Sequence, residues 1–87
     1  MKTTLTAIPA GEGVYRIPVS IIQRVKVPMV TALFINNQWV PFIDGESMGR
    51  QYESSSPTLS LHRCVANYLH RHNANPGLRI VLGEETK

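Results

Sequence analysis

Apolar and polar positions alternate most clearly in "VYRIPVSIIQRVKV", Val14 to Val27. There Ile21, Gln23, Val25 and Val27 alternate with Ile22, Arg24 and Lys26. A period of two, rich in β-branched residues, predicts a strand with one wetter face. Pro18 has no N–H to give to a ladder, so it divides the stretch or confines it to a sheet edge. A short helix over residues 18–25 is the competing reading, because proline also suits a first helical turn.

The next segment, "MVTALFINNQWVPFIDG", predicts a hairpin. Asn36-Asn37 is its turn signal, since asparagine tolerates positive φ. With that turn, Ile35 faces Gln38, Phe34 faces Trp39, Leu33 faces Val40 and Thr31 faces Phe42. One face then carries Val30, Ala32, Phe34, Trp39, Pro41 and Ile43, the other Met29, Thr31, Leu33, Ile35, Val40 and Phe42. Both are largely apolar, which is unusual where one side meets water. Pro41 marks its strand as an edge.

"DGESMGRQYESSSP" reads as a loop, with Ser55 or Ser56 as helix cap and Pro57 in the first turn. The helix is expected from about Pro57 to His72, ended by "NANPG" with Asn73 or Asn75 left-handed. "LRIVLG" reads as a buried strand, residues 1–12 as a loose amino-terminal segment and residues 84–87 as a frayed tail. The chain, 1–87, is expected to be a single domain of α+β class. Its sheet is small, antiparallel or mixed, with about four strands in the order β-β-β-α-β and one main helix packed on one face. One helix covers one face. The other face of the apolar hairpin then needs the amino-terminal segment, a second copy or a partner.

Composition narrows the classes. Apolar residues at 43% and charged residues at 17% suit a folded chain, and 87 residues allow one modest core. A single cysteine excludes an internal disulfide. "MKTTLTAIPAGEG" lacks the apolar run of a secretory signal, and no stretch reaches the ~20 apolar residues of a membrane span. A cytoplasmic location is the expectation. The net charge is +3. No carboxylate lies between Glu12 and Asp44, or between Glu53 and Glu84, and those gaps hold Arg16, Arg24, Lys26, Arg63, Arg71 and Arg79. The folded elements are thus basic, and a field of that sign steers acidic partners.

All three histidines and the cysteine fall in "SLHRCVANYLHRH". At ~100° per residue Leu61, Cys64, Val65, Tyr68 and Leu69 share one side, Arg63, Asn67, His70 and Arg71 the other, and His62 a flank. A helical metal pair needs ligands three or four apart on one face. Ala66 lies four after His62 and four before His70; Tyr68 lies four after Cys64 and four before His72. No metal site is expected. Cys64 sits among apolar neighbours with no histidine placed to hold a thiolate, so it reads as a core residue. Asp44, Glu46 and Glu53 do not follow the calcium-loop spacing, and no phosphate-cradling glycine loop or Gly-x-Ser-x-Gly elbow occurs. No catalytic residue and no cofactor is expected.

The expected function is therefore non-enzymatic: a small binding protein that docks on and occludes a larger protein or ribonucleoprotein complex with an acidic or phosphate-rich surface. The candidate partner-binding residues are Arg63, Asn67, His70, Arg71, Phe34, Trp39, Arg24 and Lys26, the residue types that carry interface energy or meet acidic groups. A homodimer through the hairpin is a further expectation. Phage-encoded inhibitors of host enzymes, anti-CRISPR proteins among them, are similar in size and in their lack of motifs; the analogy is one of type. The alternative is a small basic nucleic-acid-binding domain, with Trp39 and Phe34 stacking on bases. The strand–strand–strand–helix order resembles double-stranded-RNA-binding domains in architecture, but their lysine cluster at the final helix is replaced by "SSSPTLSLHR". A small hydrolase or transferase is the third reading.

Overall fold

The structure, a computed structural model, describes residues 2–84. Its first strand, β1 (Lys2–Pro9), turns Thr3, Leu5, Ala7 and Pro9 to one side and Lys2, Thr4, Thr6 and Ile8 to the other. The second set is exposed and the first is not, so β1 is a half-buried strand. This corrects the loose segment expected over residues 1–12. The alternation was weak because the inward residues are small or only mildly apolar, while Ile8 stands out of phase. The tail expected at residues 84–87 lies, beyond Glu84, outside the described residues.

β2 (Val14–Ile17) turns back antiparallel on β1, with Ile8 opposite Arg16 and Pro9 opposite Tyr15. At Pro18 the chain leaves the sheet. It forms a separate antiparallel pair, β3 (Ser20–Ile22) and β4 (Val25–Val27), joined at Gln23 and Arg24, both with positive φ. Two short strands thus replace the single alternating strand and the competing helix. The hairpin β5 (Val30–Ile35) and β6 (Gln38–Ile43) has the register read from the sequence, including Phe34 opposite Trp39 and Leu33 opposite Val40. Asn36 and Asn37 both have positive φ, which matches the right-handed twist of the flanking strands.

Pro41 is tolerated because of its register. The main-chain groups of Trp39 and Pro41 point away from β5: Trp39 exchanges bonds with Ser54, and Pro41 O accepts from Met48 N at 3.2 Å. The missing N–H therefore removes no bond to β5. A second tight turn at Asp44-Gly45 leads to β7 (Glu46–Ser47), where the sequence showed only a loop, and a 3-10 turn follows at Arg50–Tyr52.

Helix α1 (Pro57–Arg71) begins at Ser56, whose Oγ accepts from Leu59 N at 3.4 Å, with Pro57 in the first turn. It ends in a Schellman arrangement. Asn73 is left-handed, its N–H donates to His70 O, and Ala74 N–H donates to Leu69 O at 2.8 Å. β8 (Gly77–Leu82) then lies parallel to β1, with Leu5 beside Ile80 and Ala7 beside Leu82.

The fold is α+β, as expected, but the sheet is larger: six strands in the order β7-β6-β5-β2-β1-β8, plus the two-stranded β3-β4 pair. β8 is an edge strand and not the buried one expected; within it only Ile80 is buried. The core lies between one sheet face and α1. Ala7, Ile17, Val30, Ala32 and Ile80 meet Leu61, Cys64, Val65 and Leu69, with Ile22 and Val27 of the small pair closing one end.

The opposite sheet face carries no helix. Val14, Leu33 and Phe42 are half-buried there, among Lys2, Thr4, Thr6, Arg16 and Arg79. The amino-terminal segment does not cover this face; it widens the sheet, and its outward residues are mostly polar.

β1 can be tested within its own length. Ala7→Asp places a carboxylate in the core and is expected to abolish cooperative unfolding at room temperature, since an unpaired buried charge costs several kcal/mol. Thr6→Asp, on the wet side, is expected to cost at most about 1 kcal/mol in urea unfolding. Equal effects would mean that β1 is not docked.

Candidate functional site

The outer side of α1 presents Arg63, His70 and Arg71, all exposed. Asn67 departs from the expectation: it is half-buried, and its Oδ1 is buried without a hydrogen-bond partner. It lies too close to the buried flank to belong with the three cations. Arg24 and Lys26 are exposed on the β3–β4 pair. That pair is tied to the carboxyl-terminal half of α1: Tyr68 Oη donates to Lys26 O at 3.4 Å, and Asn75 N–H donates to Gln23 Oε1 at 3.1 Å. The Tyr68 and His72 rings pack 4.6 Å apart. So Arg24, Lys26, His70, Arg71 and His72 gather round one end of the helix.

Beside Lys26 stands an apolar knob. The inner side of the β3–β4 pair buries Ile22 and Val27. Its outer side shows Ile21, directly opposite Lys26 and 77% exposed, with Val19 exposed just before it. Full burial of such a side chain is worth roughly 1.5–3 kcal/mol. The sequence did not single out Ile21. Its signal was the placement of an isoleucine beside two cations on a strand too short to be covered.

Phe34 and Trp39 lie elsewhere. Trp39 pairs with Ser54, just before the Ser56 cap, which places both aromatics at the amino-terminal end of α1. The basic cluster sits at the other end of a helix of 15 residues, about 22 Å long. The eight candidate partner-binding residues therefore lie at two ends, with Arg63 part-way along the helix. At the aromatic end Trp39 packs on Tyr15 (centroids 5.4 Å, planes tilted 52°) and on Phe34 (5.1 Å, 49°). These rings floor an open notch of about 660 Å³, whose far wall is the β1–β2 turn with Glu12 between Gly11 and Gly13. That turn is held by Ala10 N–H on Val14 O and by Phe34 N–H on Gly13 O. Gly13 has φ +70, and a Cβ there would stand 3.4 Å from Phe34 Cβ, so glycine suits both the turn and the close approach.

The histidine segment brings no reactive set together. Cys64 is fully buried, and burial pushes its thiol up to about 12. His62 Nε2–H donates to Leu78 O at 3.1 Å. Asp44, Glu46 and Glu53 are dispersed over a turn, a short strand and the segment leading to Ser54. Among the described residues, no three His, Cys, Asp or Glu side chains are grouped so as to hold a metal ion, and no helix is long and apolar enough to cross a membrane.

Comparison with protein-family models, with curated proteins and with solved structures finds no match.

The buried thiol gives a measurable pair of outcomes. Thiolate is the reactive form, so iodoacetamide at pH 8 is expected to modify native Cys64 at least a hundredfold more slowly than the urea-unfolded chain. The native thiol stays protonated where the unfolded one ionises. Cys64 therefore favours folding below pH ~9 and loses that contribution as pH rises toward about 12. Urea titrations of wild type and Cys64→Ala across this range should diverge accordingly.

Proposed function

We propose that this chain is a non-enzymatic binding protein that docks, through the β3–β4 pair and the adjoining end of α1, on an acidic protein surface and occludes it. The observation that carries this reading is Ile21. It is the most exposed of the large apolar side chains, it faces Lys26 across the strand pair, and the chain folds a separate two-stranded unit to hold it there. An apolar centre with a charged rim is the common anatomy of a protein interface. Arg24, Lys26 and Arg71 provide a rim of one sign, and they govern the rate of encounter more than the strength of the final contact. Inhibition by occlusion, of the kind phage-encoded inhibitors exert on host enzymes, is the form of action that asks least of such a surface. It needs area and fit, and no reacting groups.

The test is capture from nuclease-treated lysate by the wild-type chain and by two variants. Ile21→Asp is expected to weaken retention of the captured protein at least tenfold, as loss of an anchoring side chain does. Its melting temperature should stay within about 2 °C of wild type, because Ile21 supports nothing beneath it. Arg63→Glu with Arg71→Glu is expected to slow association and flatten its salt dependence. Unchanged retention by Ile21→Asp would remove the β3–β4 pair from the account. Retention that disappears with nuclease, and falls steeply with salt in its absence, would assign the basic end to nucleic acid instead.

A further inference from the structure

We propose that the aromatic notch at the opposite end of the molecule is a binding site for an arginine side chain presented by a partner protein. The proposal does not depend on the basic end; it rests on three features of the notch itself.

The first is the ring arrangement. Tyr15, Trp39 and Phe34 form one continuous floor, with Trp39 in contact with both neighbours at centroid separations of 5.4 and 5.1 Å. A cation sandwiched between two ring faces needs about 7 Å between them, two contacts of about 3.5 Å. These rings are too close for that, so they cannot enclose a rounded ammonium group. With planes tilted by 52° and 49°, a flat cation laid against one ring face is the geometry they allow. Guanidinium is planar, stacks on aromatic faces and is more weakly hydrated than ammonium, so it gives up less on leaving water.

The second is charge. Among the described residues, Glu12 is the one carboxylate in the lining, and none of those lining residues is basic. It stands on the turn that forms the wall above the floor, tied through Gly13 O to Phe34 N at 2.9 Å. A carboxylate at the rim of an aromatic floor offers the two-pronged acceptor that the guanidinium fork matches. Glu84 follows Gly83 on the far side, and Glu53 precedes the Ser54 that pairs with Trp39. Glu12 is thus the carboxylate placed at the notch, in a protein whose overall charge is +3.

The third is exposure without cover. Phe34 is 49% exposed and Trp39 half-buried, although α1 begins close by. The volume, about 660 Å³, exceeds what a guanidinium fills and leaves room for the alkyl stem and the main chain that carries it.

Trp39 is the only tryptophan, so its fluorescence and its indole N–H resonance report on the site alone. The test titrates the full chain with three blocked tripeptides whose central residue is arginine, lysine or citrulline. Citrulline keeps the planar shape and loses the charge. The arginine peptide is expected to give a saturable response with a dissociation constant on the order of 1 mM, lysine about threefold weaker and citrulline about tenfold weaker. Glu12→Gln should reduce arginine affinity about fivefold without moving the melting temperature, and Phe34→Ala should reduce it for arginine and citrulline alike. No Trp39 response up to tens of millimolar would overturn the proposal. So would equal binding of citrulline, which leaves only apolar contact, equal binding of lysine, which removes the preference for a planar cation, or an arginine response unaltered by Glu12→Gln.

Discussion

One 15-residue helix has to roof a six-stranded sheet, and the surface of this protein follows from that mismatch. Six strands at about 4.8 Å spacing span about 24 Å, while a helix with its side chains is about 10 Å across. α1 lies over part of one face and seals it with Leu61, Cys64, Val65 and Leu69. Ile22 and Val27 of the β3–β4 pair extend that roof at its carboxyl-terminal end. At the amino-terminal end the 3-10 turn Arg50–Tyr52 and Met48 lie beside it, and Tyr15, Phe34 and Trp39 pack on one another. The two candidate surfaces are the two places where the roof stops. One is finished by an added strand pair with its own exposed apolar knob, the other by a cluster of rings.

Charge is distributed on the same plan. The cations of α1 and of the β3–β4 pair gather where the helix ends, which suits the negative end of a helix dipole. Glu12 stands at the notch beside its beginning. A partner with an acidic region and a neighbouring arginine would meet both ends in one orientation and neither in the reverse. Like-charge contact in the wrong pose is a stronger discriminator than attraction in the right one.

Much of this was legible in the sequence, for local reasons. The Asn36-Asn37 turn, the β5–β6 register, the Ser56-Pro57 start and the Asn73 stop of α1 each depend on one or two residues with strong backbone preferences. The helix sides followed from a period that Leu61, Cys64, Val65 and Leu69 keep. What was not legible was non-local. β1 looked loose because Leu5 is the one large aliphatic side chain among its inward residues, and most of its pairing is with β8, far along the chain. The Gln23-Arg24 turn had no glycine or asparagine to announce it. The notch escaped for the same reason: Glu12 and Tyr15 come from one segment and Phe34 from another, and the two meet only once β2 has paired with β5. Phe34 and Trp39 were legible as a cross-strand pair, but not their meeting with Tyr15.

The parallel pairing of β1 with β8 also sets the order of events at the ribosome. β1 leaves the ribosome well before β8, since its companion for Leu5 and Ala7 begins at Gly77, 68 residues past Pro9. At roughly 5–20 residues per second the nascent strand waits for several seconds, held only by its short antiparallel contact with β2. A chain that closes its sheet by joining an early strand to a late one leaves a strand edge open, until the late strand is made, to whatever binds nascent polypeptides.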